Sequence, residues 1–158
     1  MSVYNQAAAY RRAVLGDSSS DNTTIAGSGT YQLFTVSGGD VLVTSLYGRV
    51  TTAIAAAGET LLVQVDPTDG TTTAVSTVSA DIGTTDTVAG ELITGLVDQS
   101  GAVDRATLTI GAGEPLSFVA PTGEIEMVVG GAAAADGAIT WYATWVPLQD
   151  GATLVASV

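Results

Sequence analysis

Short runs of alternating apolar and polar residues recur along most of the chain, separated by turns that contain glycine, proline or aspartate. The alternation is clearest at residues 105–110, where Ala106, Leu108 and Ile110 fall on one side of an extended chain. No long helical period occurs. The pattern predicts nine or ten short strands, which we place at residues 31–36, 41–54, 61–65, 71–78, 91–97, 105–110, 116–120, 124–129, 138–146 and 152–156.

Strands at this spacing are typical of an antiparallel β-sandwich or a jelly roll. We therefore predict an all-β fold with one β-sandwich domain at residues 29–158. Gly48 interrupts the longest strand, which indicates either a bulge or a close backbone approach.

Residues 1–28 have a different pattern and are predicted to form an N-terminal arm and linker. Asn5 could cap a short helix and Gly16 could end it, with Tyr10 and Val14 on one face. Such a helix is too short to be stable alone, so it needs a partner surface, or the segment is an extended arm. Residues 17–30 are rich in Ser, Gly, Asp and Asn, as linkers are.

The composition of the 158 residues excludes most catalytic chemistry. The chain has no Cys, no His and no Lys, so catalytic triads, Ser–Lys pairs and thiolate or imidazole metal sites cannot form. Its four basic residues are all Arg and stand against 16 acids, giving a net charge of −12. This balance repels nucleic acid and anionic lipid. We expect a protein without enzymatic activity or cofactor, and without a nucleic-acid or membrane partner.

The chain is also unusually apolar for its charge. Hydrophobic residues make up 46% and charged residues 13%, and the mean hydropathy is +0.40. No apolar run reaches the ~20 residues of a membrane-spanning helix. The first residues lack the basic start and apolar core of a secretory signal. These properties predict a β-rich protein that buries part of its surface against other subunits.

Two groups of carboxylates could carry chemistry, and each has a simpler interpretation. Glu124 and Glu126 share one face of a strand, as a glycosidase pair could, but a solvated strand face is the commoner arrangement. Asp66, Asp69 and Asp86 could collect Ca²⁺, but turn chemistry accounts for residues 66–70. We therefore predict no catalytic pair and no metal site.

Trp141 and Trp145 lie on the same predicted strand and share a face with Ala143. A pair of this kind either packs in the core or forms a platform on which sugars stack. The core is the commoner arrangement.

The distribution of charge singles out the N-terminus. Residues 1–16 hold two arginines and no acid, whereas residues 17–158 hold two arginines against all 16 acids, a net of −14. A basic, aromatic arm on an acidic body resembles an anchor for another protein surface, although a frayed terminus with a chance arginine pair is the alternative. The contact residues predicted for a capsid or a neighbouring subunit are Tyr4, Tyr10, Arg11, Arg12 and Leu15.

Two segments carry a resemblance to a known family. Residues 31–54 contain a Leu-Phe-Thr-Val segment and a Gly-Gly step that lead into Gly-Arg-Val-Thr-Thr-Ala-Ile. Residues 138–157 contain a Trp-bearing strand, a Pro-Leu step and a glycine turn. Together they resemble small structural proteins of tailed bacteriophages, most closely head decoration (cement) proteins. The matching positions are Leu33, Phe34, Gly38, Gly39, Gly48, Arg49, Val50, Ile54, Trp141, Pro147, Leu148 and Gly151.

The resemblance implies a homotrimer on the capsid exterior, assembled in the host cytoplasm, with the major capsid protein as its partner. An acidic exterior and an arm that is ordered on contact agree with that role. A tail or fibre component that binds host glycans through Trp141 or Tyr142 is the alternative. A hydrolase is the weakest hypothesis.

Overall fold

The computed structural model describes residues 10–16, 24–83, 87–97, 106–110, 115–131 and 136–157. It confirms the predicted all-β sandwich. Twelve strands are present in the described part of the chain: β1 (Arg11–Leu15), β2 (Gly29–Ser37), β3 (Val41–Thr52), β4 (Thr60–Pro67), β5 (Thr73–Ala74), β6 (Ser76–Thr77), β7 (Leu92–Val97), β8 (Ala106–Ile110), β9 (Leu116–Ala120), β10 (Gly123–Gly130), β11 (Ala138–Pro147) and β12 (Thr153–Ala156). Among these residues, no helix of the length and apolarity needed to span a bilayer is found.

The strands form two sheets. Sheet A has the order β1-β11-β3-β7-β8-β6, and β9 also pairs with β3. Sheet B has the order β12-β2-β10-β4-β5. All pairings are antiparallel except the short one between β6 and β8. Consecutive strands often lie in different sheets, so the chain crosses repeatedly between the two layers.

The core lies between the sheets, and β3, β4 and β11 bury alternate residues along most of their length. In β11, Ile139, Trp141, Ala143 and Trp145 are buried, and the residues between them are more accessible from Tyr142 onwards. Sheet B supplies the opposing apolar residues, which include Phe34, Val36, Leu61, Val63, Ile125 and Met127. Each sheet therefore has one apolar inner face and one outer face.

Gly48 is a point of close approach, but the atoms nearest to it are side-chain atoms and not the predicted backbone. It is directly opposite Trp141 in the pairing of β3 with β11. A Cβ atom on Gly48 would lie 2.7 Å from Ile139 Cγ2 and 3.4 Å from the Trp141 ring. Glycine at this position therefore leaves the space that the Ile139 and Trp141 side chains occupy. The register shifts along β11 fall elsewhere, at Ala138/Ile139 and Thr144/Trp145.

The described part of the N-terminal segment is extended, not helical. Arg11–Leu15 forms β1, whose residues pair with β11 from Arg11↔Trp145 to Leu15↔Trp141. Ile25, within the predicted linker, is 3% exposed, and its N–H donates to the Gly137 carbonyl. Both pieces lie in the sandwich itself. The remainder of the predicted arm and linker, residues 1–9 and 17–23, lies outside the described residues.

Candidate functional surface

The strands of the two sheets carry opposite charges. The seven strands of sheet A contain three arginines, Arg11, Arg12 and Arg49, and no acidic residue. The five strands of sheet B contain Asp66, Glu124 and Glu126 and no arginine. In a chain with a net charge of −12, sheet A is thus a local exception. A surface patch whose charge is opposite to that of its binding partner directs the two proteins towards each other.

The outer face of sheet A carries a stack of one arginine and two tyrosines. Tyr142 of β11 is directly opposite Tyr47 of β3, and the two rings stack with centroids 5.0 Å apart and planes inclined by 14°. The Arg12 guanidinium carbon lies 5.5 Å from the Tyr142 ring centroid. Because β11 runs between β1 and β3, Arg12 and Tyr47 cover opposite faces of the Tyr142 ring. Contacts of this kind contribute about 0.5–1.5 kcal/mol each.

A groove of about 460 Å³ lies next to this stack. Its lining is mostly apolar and includes the partly exposed side chain of Leu92, and Arg49 supplies a charge at its side. We call the surface formed by Arg12, Tyr47, Arg49 and Tyr142 the tyrosine–arginine face. The lining residues of the groove are Tyr47, Arg49, Leu92, Thr94, Pro115 and Tyr142.

Within the described residues, no carboxylate forms an ion pair with the three arginines of sheet A. Arg11 lies over the Trp145 ring, with its guanidinium carbon 5.1 Å from the ring centroid, and Arg12 lies over Tyr142. These two guanidinium groups therefore interact with aromatic ring faces and with solvent instead of with carboxylates. Arginine N–H groups that are not engaged by an acid remain able to bind one.

The predicted contact residues of the arm have different fates in the structure. Tyr10 is 74% exposed, and Arg11 and Arg12 are also exposed. Leu15 is 1% exposed because it is opposite Trp141 in the core, so its side chain is not available to a partner. Tyr4 lies outside the described residues. The basic end of β1 is thus continuous with the tyrosine–arginine face.

Of the two interpretations of the tryptophan pair, the core position is correct. Trp141 and Trp145 are 1% and 3% exposed. Neither indole N–H meets an acceptor among the described residues, although a buried donor is normally satisfied. Tyr142, the other candidate for sugar stacking, has one ring face against Tyr47 and the other under Arg12. None of these three residues therefore has a free ring face on which a sugar could stack, as the glycan-platform hypothesis requires.

The carboxylates of sheet B are held by neighbouring polar groups. Glu124 accepts hydrogen bonds from the Thr35 hydroxyl at 2.9 and 3.2 Å, and Glu126 accepts one from the Gln64 amide at 2.7 Å. Glu126 is 8% exposed, so the predicted solvated face is wrong at this residue: it lies on a central strand, where adjacent strands cover it. Asp66 accepts a hydrogen bond from Thr72.

The described residues contain no cluster of side chains that could bind a metal ion. No group of three or more acidic side chains there is arranged to hold a metal ion. Asp66 and Asp69 lie at the end of β4 and in the turn that follows it, and Asp86 lies outside the described residues.

Glu59 is a buried acid that the sequence pattern did not single out. It is fully buried before β4, and its Oε1 has no hydrogen-bond partner among the described residues. Its Oε2 accepts a hydrogen bond from the Asp136 N–H at 3.2 Å. Burial raises the pKa of Glu59 above the ordinary value of 4.5, and the nearby Asp136 and Asp81 carboxylates raise it further, against the lowering by that hydrogen bond.

Replacing Glu59 with glutamine is expected to stabilise the protein at neutral pH. Because the folded-state pKa is raised, the charged form of Glu59 costs stability above that pKa, and the wild type gains stability as the pH falls towards 4.5. Glutamine removes that cost, so the variant should melt higher at pH 7.5 and show a weaker dependence on pH. Thermal unfolding between pH 4.5 and 8 measures both effects.

Asp150→Asn is the matched control for this prediction, since it removes one negative charge at an exposed turn residue. An increase in melting temperature of equal size in both variants would mean that net charge, not burial, causes the effect. A lower melting temperature of Glu59→Gln at pH 7.5 would contradict the prediction.

Comparison with models of known protein families, with characterised proteins and with solved structures finds no match to this chain.

Proposed function

We propose that the protein is a non-enzymatic structural component of a tailed bacteriophage particle. It binds the outer surface of the head as a trimeric decoration protein and stabilises the shell by bridging subunits of the major capsid protein. The observation that carries the proposal is the separation of charge: an acidic subunit presents one basic, aromatic face on sheet A. A face of this kind suits attachment to a protein lattice, where many copies add up weak individual contacts.

The positions of the two segments that resemble phage proteins support the proposal. Residues 31–54 supply nearly all of β2 and the whole of β3, and residues 138–157 supply β11 and β12. In the structure, β3 pairs with β11 in sheet A and β2 pairs with β12 in sheet B. Segments that are about a hundred residues apart in sequence are thus neighbours in both sheets, so the resemblance concerns one continuous part of the fold.

The burial of Leu15 decides how the attachment is tested. Removing residues 1–28 would also remove β1 and uncover the edge of β11, which includes Trp141 and Trp145. A truncated protein could then fail to bind because it is destabilised. Arg12→Gln is the sharper change, because it removes one exposed charge and leaves the buried residues of β1 in place.

The expected result is saturable binding of the wild-type protein to capsids assembled without it, weakened roughly tenfold by Arg12→Gln. Ser28→Glu is the matched control, because it lowers the net charge by the same amount on an exposed residue just before β2 of sheet B. Electron microscopy of the particles should show copies arrayed on the shell. Density at the tail tip, or binding that the Arg12 variant retains in full, would contradict the proposal.

A further inference from the structure

We propose that the tyrosine–arginine face binds an acidic segment of a partner polypeptide, with one carboxylate on Arg12 and a second on Arg49. The inference rests on the proposed function for the identity of the partner, which would be the capsid subunit. The chemistry of recognition comes from the face itself, from its charge, its spacing and the groove beside it.

The stack prepares Arg12 to bind a carboxylate. Its guanidinium carbon lies 5.5 Å from the Tyr142 ring centroid, and an arginine in contact with a ring face still has N–H groups that can bind a carboxylate. The planar fork of an arginine matches the two oxygens of a carboxylate. Because Tyr47 supports Tyr142 from the other side, the ring under the guanidinium is itself held in place. Less conformational entropy is therefore lost when the carboxylate binds.

The two arginines are spaced for two carboxylates on one extended segment. Arg12 is opposite Thr144 and Arg49 is opposite Thr140, so they differ by four residues along β11 and lie on the strands that flank it. Strand geometry then places their Cα atoms roughly 16 Å apart. In an extended peptide, side chains at i and i+4 point the same way and are about 13 Å apart. Flexible arginine side chains cover the difference.

The groove accounts for the apolar part of the contact. It lies between the tyrosine pair and Pro115, with Leu92 in its wall, and has room for small apolar side chains at about 460 Å³. Because the groove lies on the β7 side of Arg49, an apolar residue of the partner beyond the acid bound to Arg49 would enter it. Burial of Leu92, which is 39% exposed, would add to the binding free energy.

Other occupants fit less well. A twofold contact between two copies through this face would place arginine against arginine. The carboxylates on the sheet B strands of a second copy already accept hydrogen bonds within their own subunit. A long polyanion would extend beyond the face onto a chain with 16 acids, whereas a short segment with two carboxylates need meet only the arginines. Sugar stacking has no free face of Tyr142.

The test uses the full-length protein and two synthetic peptides, independently of any capsid. One peptide of about seven residues carries two glutamates four positions apart and a leucine two positions beyond one of them, and the other has glutamines in place of the glutamates. Calorimetric titration should show saturable binding of the glutamate peptide and binding of the glutamine peptide weakened by tenfold or more, on the scale of about 1.4 kcal/mol per tenfold change. Equal affinity for the two peptides, or no saturation by either, would overturn the proposal.

Two variants assign the binding to the face. Arg49→Gln should lower the affinity for the glutamate peptide roughly tenfold, as expected for the loss of a charge-assisted hydrogen bond. Ser28→Glu, which changes the net charge equally beside sheet B, should leave the affinity within about twofold after screening at 0.15 M salt. Equal weakening by both variants would reduce the effect to net charge and overturn the proposal.

Sedimentation velocity of the wild type and of Arg49→Gln separates a foreign partner from a second copy. Unchanged self-association in the variant is the expected result. Self-association that Arg49→Gln abolishes would assign the face to a contact between copies and overturn the choice of partner. Failure of capsid attachment together with binding of the glutamate peptide would refute the proposed function and leave the ligand chemistry of the face intact.

Discussion

Replacing Trp141 with alanine is expected to lower the free energy of unfolding by about 3–5 kcal/mol, as for other buried aromatic residues. Trp141 is 1% exposed and is opposite both Leu15 on β1 and Gly48 on β3. The alanine variant would therefore leave a cavity at the point where three strands of sheet A meet, and Gly48 has no side chain to fill it. Equilibrium unfolding in urea, with the slope checked against the wild type, measures the loss.

Two controls separate burial from other effects of the substitution. Tyr142→Ala changes the next residue of the same strand but on the outer face, so we expect a loss of only about 1–2 kcal/mol from the two ring contacts. Trp141→Phe should lose less than Trp141→Ala, because it keeps a ring and removes the unpaired indole N–H. Equal losses at positions 141 and 142 would contradict the burial of Trp141.

Replacing Gly123 with alanine is expected to destabilise the protein by about 3 kcal/mol, from strained backbone and overpacking together. Gly123 opens β10 with φ +144°, and it pairs with Val36 on one side and Pro67 on the other. A Cβ atom there would meet the Asp66 carbonyl oxygen and would lie 2.7 Å from Pro67 Cα. Since these neighbours are backbone atoms in a paired strand, they cannot move aside without disturbing sheet B.

Gly27→Ala is the matched control, because Gly27 has a similar φ of +140° but nothing within 4 Å of the added Cβ. It should cost only the conformational part, about 1 kcal/mol. Thermal and urea unfolding of both variants give the comparison. Losses that agree within about 0.5 kcal/mol would mean that the contacts around Gly123 are not restrictive.

The strands that were predicted best from the sequence are those whose own residues alternate between apolar and polar and are bounded by turn residues. Alternation and turn residues placed nine of the ten predicted strands close to their observed positions, including β11. The predicted strand at residues 71–78 is in fact two short strands, because the chain leaves sheet B after β5 and joins sheet A at β6. At this crossing the Ser76 hydroxyl accepts a hydrogen bond from the Val63 N–H, and nothing in a local pattern specifies such a bond between layers.

Long-range pairing explains what the sequence left open or missed. Arg11–Leu15 is a poor helix and a poor strand by local pattern, and its conformation depends on β11, about 130 residues away. Arg12 and Tyr142 could each be noticed alone, but their contact, and the addition of Tyr47 and Arg49, depends on the register of three strands. Glu59 was missed because burial of an acid depends on surrounding segments, here those that contain Asp81 and Asp136.

The pairing of β1 also determines when the fold can be completed. Of the strands that the structure describes, β1 is synthesised first, and its Arg11 pairs with Trp145 of β11, which follows much later in the sequence. During translation, therefore, the native hydrogen-bond partner of β1 does not yet exist, and its apolar residues Ala13 and Leu15 remain without their covering until β11 has left the ribosome. Ser37 of β2 likewise has no strand partner on this side until Thr153 of β12 has been synthesised. Such distant contacts make folding slow, since loop closure must precede them. The tyrosine–arginine face is thus assembled only after β11 has been synthesised.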